Sequence, residues 1–285
     1  MSTGDHDTNN AIDPREDNVN RNSSMCYPQV RMSVGFNGDT KIDEWLLFDG
    51  DMDQLMGELD QLRGTGRPSL VVTPNVDQVL NLRHNESLRR AYDVASVRLI
   101  DGSPLKLLAR VLGARSIQRI TGADLLVECF IAADRIGWKI AVMGGSPGSG
   151  ERAQTRLFGG NTGERFRQIE LPALGSPADP RSTHSIEALS EFGPDLVFVC
   201  LGSPKQEEWY LHWRSLLPSA VYIGAGAALD FAAGDIRRAP KVLQHLGLEW
   251  LWRLLLEPRR LAHRYLIKGP KFIQVVIHSW KAKKK

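Results

Sequence analysis

The residues best suited to chemistry lie where apolar runs of the chain stop. Asp101 follows the run Val97–Ile100 and precedes Gly-Ser-Pro, so we expect it at the tip of a strand. A carboxylate in that position can accept a proton from an attacking hydroxyl group. The same spacing also fits an aspartate that caps the next helix or closes a turn. Spacing alone therefore leaves a general base and a helix cap both open.

Thr73 and Asn75 occupy an equivalent place after the run Leu70–Val72. Pro74 restricts the backbone between them. A threonine hydroxyl and an asparagine amide in this position can hold a sugar or a phosphate group. Capping of the following helix would explain the same two residues, so the pair does not decide between binding and capping.

A glycine-rich turn, Gly-Gly-Ser-Pro-Gly-Ser-Gly, fills positions 144–150. It lacks the Lys-Ser/Thr pair of a P-loop and the Gly-x-Gly-x-x-Gly spacing of a dinucleotide-binding turn. An acidic residue that would bind a ribose after such a turn is also missing. The pattern predicts a tight turn without a bound cofactor, and it argues against a nucleotide-dependent oxidoreductase.

An acidic cluster, Asp-Gly-Asp-Met-Asp, fills positions 49–53 and contains Asp-x-Asp twice. Many metal-dependent glycosyltransferases hold Mn²⁺ or Mg²⁺ on a diphosphate with this pattern. An aspartate cap at the start of a helix over Asp53–Leu62 explains the residues equally well. We predict the cap and no metal site.

The elements that must position these residues alternate between strand and helix. Five times, an apolar run ends at a turn of Gly, Pro or small polar residues and a helical pattern follows, as in the helix predicted over Leu105–Leu112. This alternation predicts an α/β fold, a Rossmann-like parallel sheet with helices on both faces. Ligands bind beyond the carboxyl ends of such strands, so the five turns should share one edge. The predicted strands are Leu70–Val72, Val97–Ile100, Ile140–Met143, Leu196–Leu201 and Val221–Ile223.

Composition sets the remaining limits. Hydrophobic residues make up 42% of the 285 positions and charged residues 24%, which excludes a wholly disordered chain. The three cysteines follow no disulfide or zinc-site motif, which fits a protein of a reducing compartment. No uncharged apolar run reaches transmembrane length, and the polar start of the chain lacks the core of a signal peptide. We therefore expect a cytoplasmic protein with a disordered leader over 1–30 and an α/β core over 31–245.

Residues 246–285 form a predicted basic, helical appendage. From Trp250 onward the chain has ten basic residues and one acidic residue, of 36 basic and 33 acidic in all. Breaks are expected at Pro258 and at Gly269-Pro270. A tail of this charge on an acidic body suggests an anionic partner.

Three arginines of the appendage share one side of an ideal helix. Arg253, Arg260 and Arg264 fall within about 40° of one another at helical spacing. Such a stripe beside leucines suits an anionic lipid surface or a diphosphate. A solvated charged face and a nucleic-acid patch are the alternatives, and the leucine and tryptophan between the charges favour a membrane.

Together these segments resemble the WecG/TagA/CpsF glycosyltransferases from about residue 32 to residue 277. The most specific stretches run from Arg238 to Leu251 and from Glu257 to Arg260. The other matching segments include Thr73-Pro74-Asn75, Asp101-Gly102, Arg119–Leu125, Leu201–Glu207 and Ile223–Gly226. Residues 159–185 match poorly, and Ala227-Ala228-Leu229 replaces the more usual Gly-Gly-Ser/Thr.

The resemblance implies an inverting, metal-independent glycosyltransferase without a cofactor, attached peripherally to the inner leaflet of the plasma membrane. Its donor would be a UDP-sugar and its acceptor a sugar on undecaprenyl diphosphate. Asp101 would be the general base, with Thr73 beside it. The implied binding residues are Asn75, Arg119, Gln206, Asp230, Arg253, Arg260 and Arg264.

Two matters stay open at the level of sequence. A non-catalytic, membrane-associated protein that binds nucleotide sugars during polysaccharide assembly could share the fold and the tail. The sequence also does not name the sugar (N-acetylmannosamine, its uronic acid or glucose), the polymer, or the oligomeric state, including a homo-oligomer. We expect no nucleic-acid partner.

Overall fold

The computed structural model of the chain describes residues 29–35, 42–114, 118–159, 163–172, 174–240, 242–243, 248–262 and 269–283. Its strands are β1 (Gln29–Gly35), β2 (Ile42–Phe48), β3 (Ser69–Val72), β4 (Val97–Arg98), β5 (Ile140–Gly144), β6 (Phe166–Ile169), β7 (Leu196–Cys200) and β8 (Val221–Gly224). Its helices are α1 (Met52–Arg63), α2 (Val76–Asn81), α3 (Glu86–Val94), α4 (Ser103–Val111), α5 (Gly122–Ile136), α6 (Ser149–Phe158), α7 (Ser182–Phe192), α8 (Lys205–Trp213), α9 (Ala228–Ala233), α10 (Glu249–Leu256), α11 (Pro258–Ala262) and α12 (Phe272–Lys283).

Six strands form one wholly parallel sheet in the order β4-β3-β8-β7-β5-β6. The five predicted strands and the α/β fold are confirmed, whereas β6 was not predicted. β4 is shorter than expected and ends at Arg98, although the Leu99 amide still donates to the Val72 carbonyl at 2.9 Å. Beyond the end of β4, the chain therefore continues beside β3 as far as Asp101.

Helices cover both faces of the sheet, as expected for parallel strands that are apolar throughout. Along β3, the side chains of Leu70 and Val72 enter one buried cluster and that of Val71 enters the other. Tyr92 of α3 and Trp209 of α8 belong to the first cluster. The second cluster contains the buried side of α5.

Helix α1 begins one residue earlier than predicted, and its cap is Asp51. The Asp51 Oδ1 atom accepts from the Gln54 amide at 2.9 Å, and the Gln54 Oε1 atom accepts from the Asp51 amide at 3.0 Å. This reciprocal capping box satisfies two amides that the helix itself leaves unpaired. The middle carboxylate of the acidic cluster is thereby engaged in capping.

The C-terminal helices return to the N-terminal part of the chain. β1 and β2 form an antiparallel hairpin, and α12 packs on β1. The Ser279 hydroxyl accepts from the Ser33 amide at 2.9 Å and donates to the Ser33 carbonyl at 3.0 Å, and both serines are buried. Phe272 and Val275 are buried on the same side of α12. The inner face of α12 is thus part of the hydrophobic core.

The expected interruptions in the C-terminal segment are present. α10 ends at Leu256 and α11 begins at Pro258, while a 3-10 turn over Gly269–Lys271 precedes α12. In the parts of the chain that the structure describes, no helix is both long and apolar enough to cross a bilayer.

Candidate active site

The five predicted turns lie along one edge of the sheet, because all six strands run in the same direction. Hydrogen bonds join neighbouring turns along this edge. The Asp101 amide donates to the Pro74 carbonyl at 3.0 Å, and the Thr73 hydroxyl donates to the Gly224 carbonyl at 2.6 Å. The Gly226 amide donates to Gln206 Oε1 at 3.0 Å. The turns after β4, β3, β8 and β7 are therefore linked one to the next by hydrogen bonds.

Asp101 lies half-buried at the tip of β4, next to the chain that leads into α5. The neighbouring Ile100 carbonyl accepts from the Ile120 amide at 3.2 Å, which brings Arg119 to the same end of the sheet. The N-cap of α4 is Gly102, with a φ of 95° and no side-chain cap. Gly102, and not Asp101, therefore occupies the N-cap position of that helix, and Asp101 lies one residue before it at the edge of the sheet.

Thr73 and Asn75 have different surroundings. Thr73 is buried, and its hydroxyl is bound to the tip of β8. Asn75 caps α2 through Oδ1, which accepts from the amides of Asp77 and Gln78 at 3.0 and 3.2 Å. Gln78 completes the box by accepting from the Asn75 amide at 3.3 Å. The capping interpretation of Asn75 is confirmed, and its role in substrate binding stays a prediction.

Arg119 connects the sheet edge to the C-terminal segment. Its Nη1 atom donates to Glu249 Oε2 at 2.7 Å, and the two side chains are only 16% and 19% exposed. Glu249 is the first residue of α10. Arg119, which the family resemblance implies for the substrate pocket, is therefore paired with Glu249 of the predicted appendage, and its role in substrate binding stays a prediction.

A second ion pair, between α5 and the segment that follows α9, was not predicted. Arg238 donates to Asp124 Oδ1 at 2.7 Å, while Thr121 caps α5 and donates to the other carboxylate oxygen of Asp124 at 2.7 Å. Arg238 and the segment from Arg119 to Leu125 both carry the family resemblance. That shared resemblance was the available signal, but spacing alone does not pair residues so far apart in the chain.

Gln206 and Glu207 are buried where β7 turns into α8. Gln206 Nε2 donates to Glu207 Oε1 at 2.8 Å, and Gln206 Oε1 accepts from the Gly226 amide. Burial raises the pKa of Glu207 to about 6, against the opposing effect of the Gln206 hydrogen bond. Gln206 thus connects two turns, and its predicted contact with substrate stays a prediction.

Asp230 lies near the start of α9, close to the glycine-rich turn. Its Oδ1 atom accepts from the Ser146 amide at 3.0 Å. Gly145 adopts a φ of 80°, and a Cβ there would lie 2.7 Å from Leu229 Cδ2. The glycine is therefore required for packing of the turn against α9, in agreement with the predicted tight turn. The contact of Asp230 with the nucleoside stays a prediction.

A cleft of about 240 Å³ opens at the carboxyl ends of β5 and β7, next to the glycine-rich turn. Its walls are mainly apolar, and Lys205 at the start of α8 is its only charged lining residue among the described positions. The lining residues are Gly144, Gly145, Leu171, Pro172, Leu174, Ser176, Pro177, Cys200, Leu201 and Lys205. Residues 171–177 come from the segment that resembles the family least.

The three arginines of the predicted stripe are only partly described. Arg253 lies in α10 and Arg260 lies in α11, but the structure describes only their backbone. Arg264 lies outside the described residues. Their roles in substrate binding stay predictions. Within the described ranges, no three His, Cys, Asp or Glu residues lie together as metal ligands would.

The chain is thus an α/β protein with a Rossmann-like parallel sheet, and Asp101, Arg119 and an open cleft lie at the edge where such sheets generally bind ligands. The family model described as "Glycosyl transferase WecG/TagA/CpsF family" matches residues 44–285, which is most of the chain. The chain belongs to this family, as its sequence motifs predict. It is therefore a glycosyltransferase of cell-surface polysaccharide synthesis, a group that generally uses a nucleotide-sugar donor and a lipid-linked acceptor.

Proposed function

We propose that the chain is an inverting, metal-independent glycosyltransferase that moves a sugar from a UDP-sugar to a sugar on a polyprenyl diphosphate. The observation that carries the proposal is the position of Asp101. Asp101 lies half-buried at the carboxyl edge of the sheet, and a glycine takes the cap position of the following helix. A carboxylate placed in this way suits a general base.

In the proposed reaction, an acceptor hydroxyl loses its proton to Asp101 and its oxygen attacks the anomeric carbon of the donor sugar. The bond between that carbon and the diphosphate oxygen breaks, and UDP leaves with the electron pair. A single displacement of this kind inverts the anomeric configuration and needs one base on the acceptor side. Thr73 supports the geometry by tying β3 to β8 beside the base.

The cleft between β5 and β7 is the proposed site for the nucleoside half of the donor. Its apolar walls suit the faces of a nucleobase. Asp230, which accepts from the Ser146 amide one residue beyond the lining residue Gly145, is the proposed acceptor for the ribose hydroxyls. Lys205 lines this cleft and is the proposed cation for the diphosphate.

The diphosphate that leaves gains negative charge, which fixed cations must stabilise when no metal does so. Arg119 lies at the same edge of the sheet as Asp101, and its planar guanidinium suits bidentate binding of phosphate oxygens. Arg253, Arg260 and Arg264 are the proposed partners from the appendage. This assignment agrees with an Arg119 that already contacts the first residue of α10.

The test is turnover by the full-length chain, measured as UDP release from a panel of UDP-sugars in the presence of a short-chain lipid-diphosphate sugar. The Asp101→Asn variant should keep its affinity for UDP and lose about 10²–10⁴-fold in kcat. Asp134→Asn, an exposed acid on α5, is the matched control and should behave like the wild type.

Three outcomes contradict parts of the proposal. An Asp101→Asn enzyme with wild-type kcat would exclude the assigned base. Activity that disappears with a chelator and returns with Mn²⁺ would exclude the metal-free mechanism. UDP binding without turnover for any donor and acceptor would favour the alternative, a non-catalytic protein of polysaccharide assembly that binds nucleotide sugars.

A further inference from the structure

Glu207 is a buried acid that the proposed mechanism does not use. It is fully buried on α8, and one of its oxygens, Oε2, makes no hydrogen bond within 3.5 Å among the described residues, although the Ser203 hydroxyl lies near enough to favour the ionised form. A buried carboxylate oxygen without a partner carries a cost that an apolar side chain would avoid. The position therefore calls for an explanation other than the stability of the fold.

The contacts of Gln206 provide that explanation. The two ends of a carboxamide have nearly the same shape, so its orientation is decided by the donors and acceptors around it. An ionised carboxylate can only accept, and Glu207 Oε1 therefore draws the Nε2 end of Gln206 at 2.8 Å. The opposite end, Oε1, then faces the Gly226 amide at 3.0 Å. If the Gln206 carboxamide were reversed, a hydrogen on its Nε2 atom would face the hydrogen of the Gly226 amide.

The close fit around Gly224 leaves little space for another arrangement. A Cβ on Gly224 would lie 2.5 Å from Gln206 Nε2 and 3.4 Å from Glu207 Oε1. On the other side, the Gly224 carbonyl accepts the Thr73 hydroxyl. The turn after β8 is thus held between Gln206 and Thr73, and α9 with Asp230 begins directly after it.

We propose that Glu207 is a positioning residue that fixes the orientation of the Gln206 carboxamide and, through it, the 224–226 turn that places Asp230 for the donor. The effect on donor binding rests on the proposed function. The effect on the turn does not, because it concerns only contacts within the chain.

The experiment compares two substitutions of similar shape in the full-length protein. Glu207→Gln keeps an oxygen that can accept from Gln206, whereas Glu207→Met has none. Hydrogen exchange of the Gly226 amide is measured by NMR, with the Phe198 amide in the sheet as an internal reference for global opening. The KM for the UDP-sugar and kcat are measured on the same samples.

With Glu207→Met, we expect exchange at Gly226 to rise about tenfold or more relative to Phe198, and the donor KM to rise about tenfold with a smaller change in kcat. Glu207→Gln should stay within about threefold of the wild type in both. Gly224→Ala displaces the Gln206 carboxamide while Glu207 stays in place, so it should reproduce the Met result.

Equal exchange at Gly226 in the wild type and in the Met and Ala variants would overturn the proposal. So would equal losses in the Gln and Met variants. If Glu207→Met unfolds, Gly224→Ala decides the same question. A wild type that turns over no UDP-sugar would contradict the proposed function, while exchange at Gly226 would still decide the role of Glu207.

Discussion

At the scale of single residues, Glu207 links the candidate site to pH. Burial raises its pKa in the folded protein to about 6, above the usual value of 4.5. The folded state therefore binds a proton that the unfolded chain has already released between these two values. The contribution to stability is complete below pH 4.5 and is lost as the pH rises through 6.

Glu207→Gln removes this titration. We expect the free energy of unfolding of the variant, relative to wild type, to rise by about 2 kcal/mol between pH 4.5 and pH 7.5, at 1.36 kcal/mol per pKa unit. Urea unfolding at both pH values measures the difference, and the remaining titrations cancel between the two proteins. A difference that does not change with pH would show that Glu207 titrates as an exposed glutamate does.

Other residues show what the sequence could and could not predict at this scale. The position of Asp101 at a strand tip followed from the apolar run before it and the turn after it. The burial of Gln206 did not, because it depends on how two turns fit together that are separated by 20 positions in the chain. Pairing of Arg119 with Glu249 spans 130 positions and depends on where the C-terminal segment folds back.

At the scale of elements, continuous apolar runs predicted five of the six parallel strands, since both faces of each strand are buried. The sixth, β6, lies beside a Gly- and Pro-rich segment that hid its short pattern. The β1–β2 hairpin also escaped prediction. The helix caps followed the sequence pattern more closely than the strands did. Asp51, Asn75 and Thr121 cap α1, α2 and α5 at the points where the helical patterns start.

The ion pair between Arg119 and Glu249 should hold α10 on the sheet edge. Because both side chains are mostly buried, we expect a coupling free energy of about 1–2 kcal/mol in a double-mutant cycle with Arg119→Gln and Glu249→Gln. Each single substitution should also speed tryptic cleavage within α10, because the helix leaves the core more often.

Arg90 and Glu86 on α3 provide the matched control. This ion pair has a similar distance of 2.8 Å, but its side chains are 70% and 68% exposed. Its coupling should be about 0.3–0.5 kcal/mol, with no change in cleavage of α10. Equal couplings for the two pairs, or unchanged cleavage in the Glu249 variant, would mean that α10 does not depend on Arg119.

At the scale of the whole molecule, the C-terminal segment has two opposite faces. The inner face of α12 is buried against β1, so removal of residues 246–285 would uncover the hairpin as well as any outer surface. On the outer face, Ile273, Ile277 and Trp280 are 62%, 45% and 45% exposed at helical spacing. Lys271 and Lys281 lie at the two ends of this row.

An apolar row with lysines at its ends suits the boundary between lipid headgroups and acyl chains. We therefore expect this face of α12 to hold the protein on an anionic bilayer, where a lipid-linked acceptor would be found. The double variant Ile273→Glu/Ile277→Glu should sediment with vesicles about tenfold less than wild type, since two isoleucines no longer enter the interface.

Leu216→Glu is the control for this experiment. Leu216 is 62% exposed and lies in the connection from α8 to β8, at the edge of the sheet opposite the candidate active site. It should bind vesicles of phosphatidylcholine with an anionic lipid as the wild type does. The double variant should keep its urea midpoint, because its substitutions leave Phe272, Val275 and Ser279 in place against the hairpin. A double variant that still sediments fully would show that another surface meets the membrane. Loss of binding by Leu216→Glu as well would show that any added negative charge prevents it.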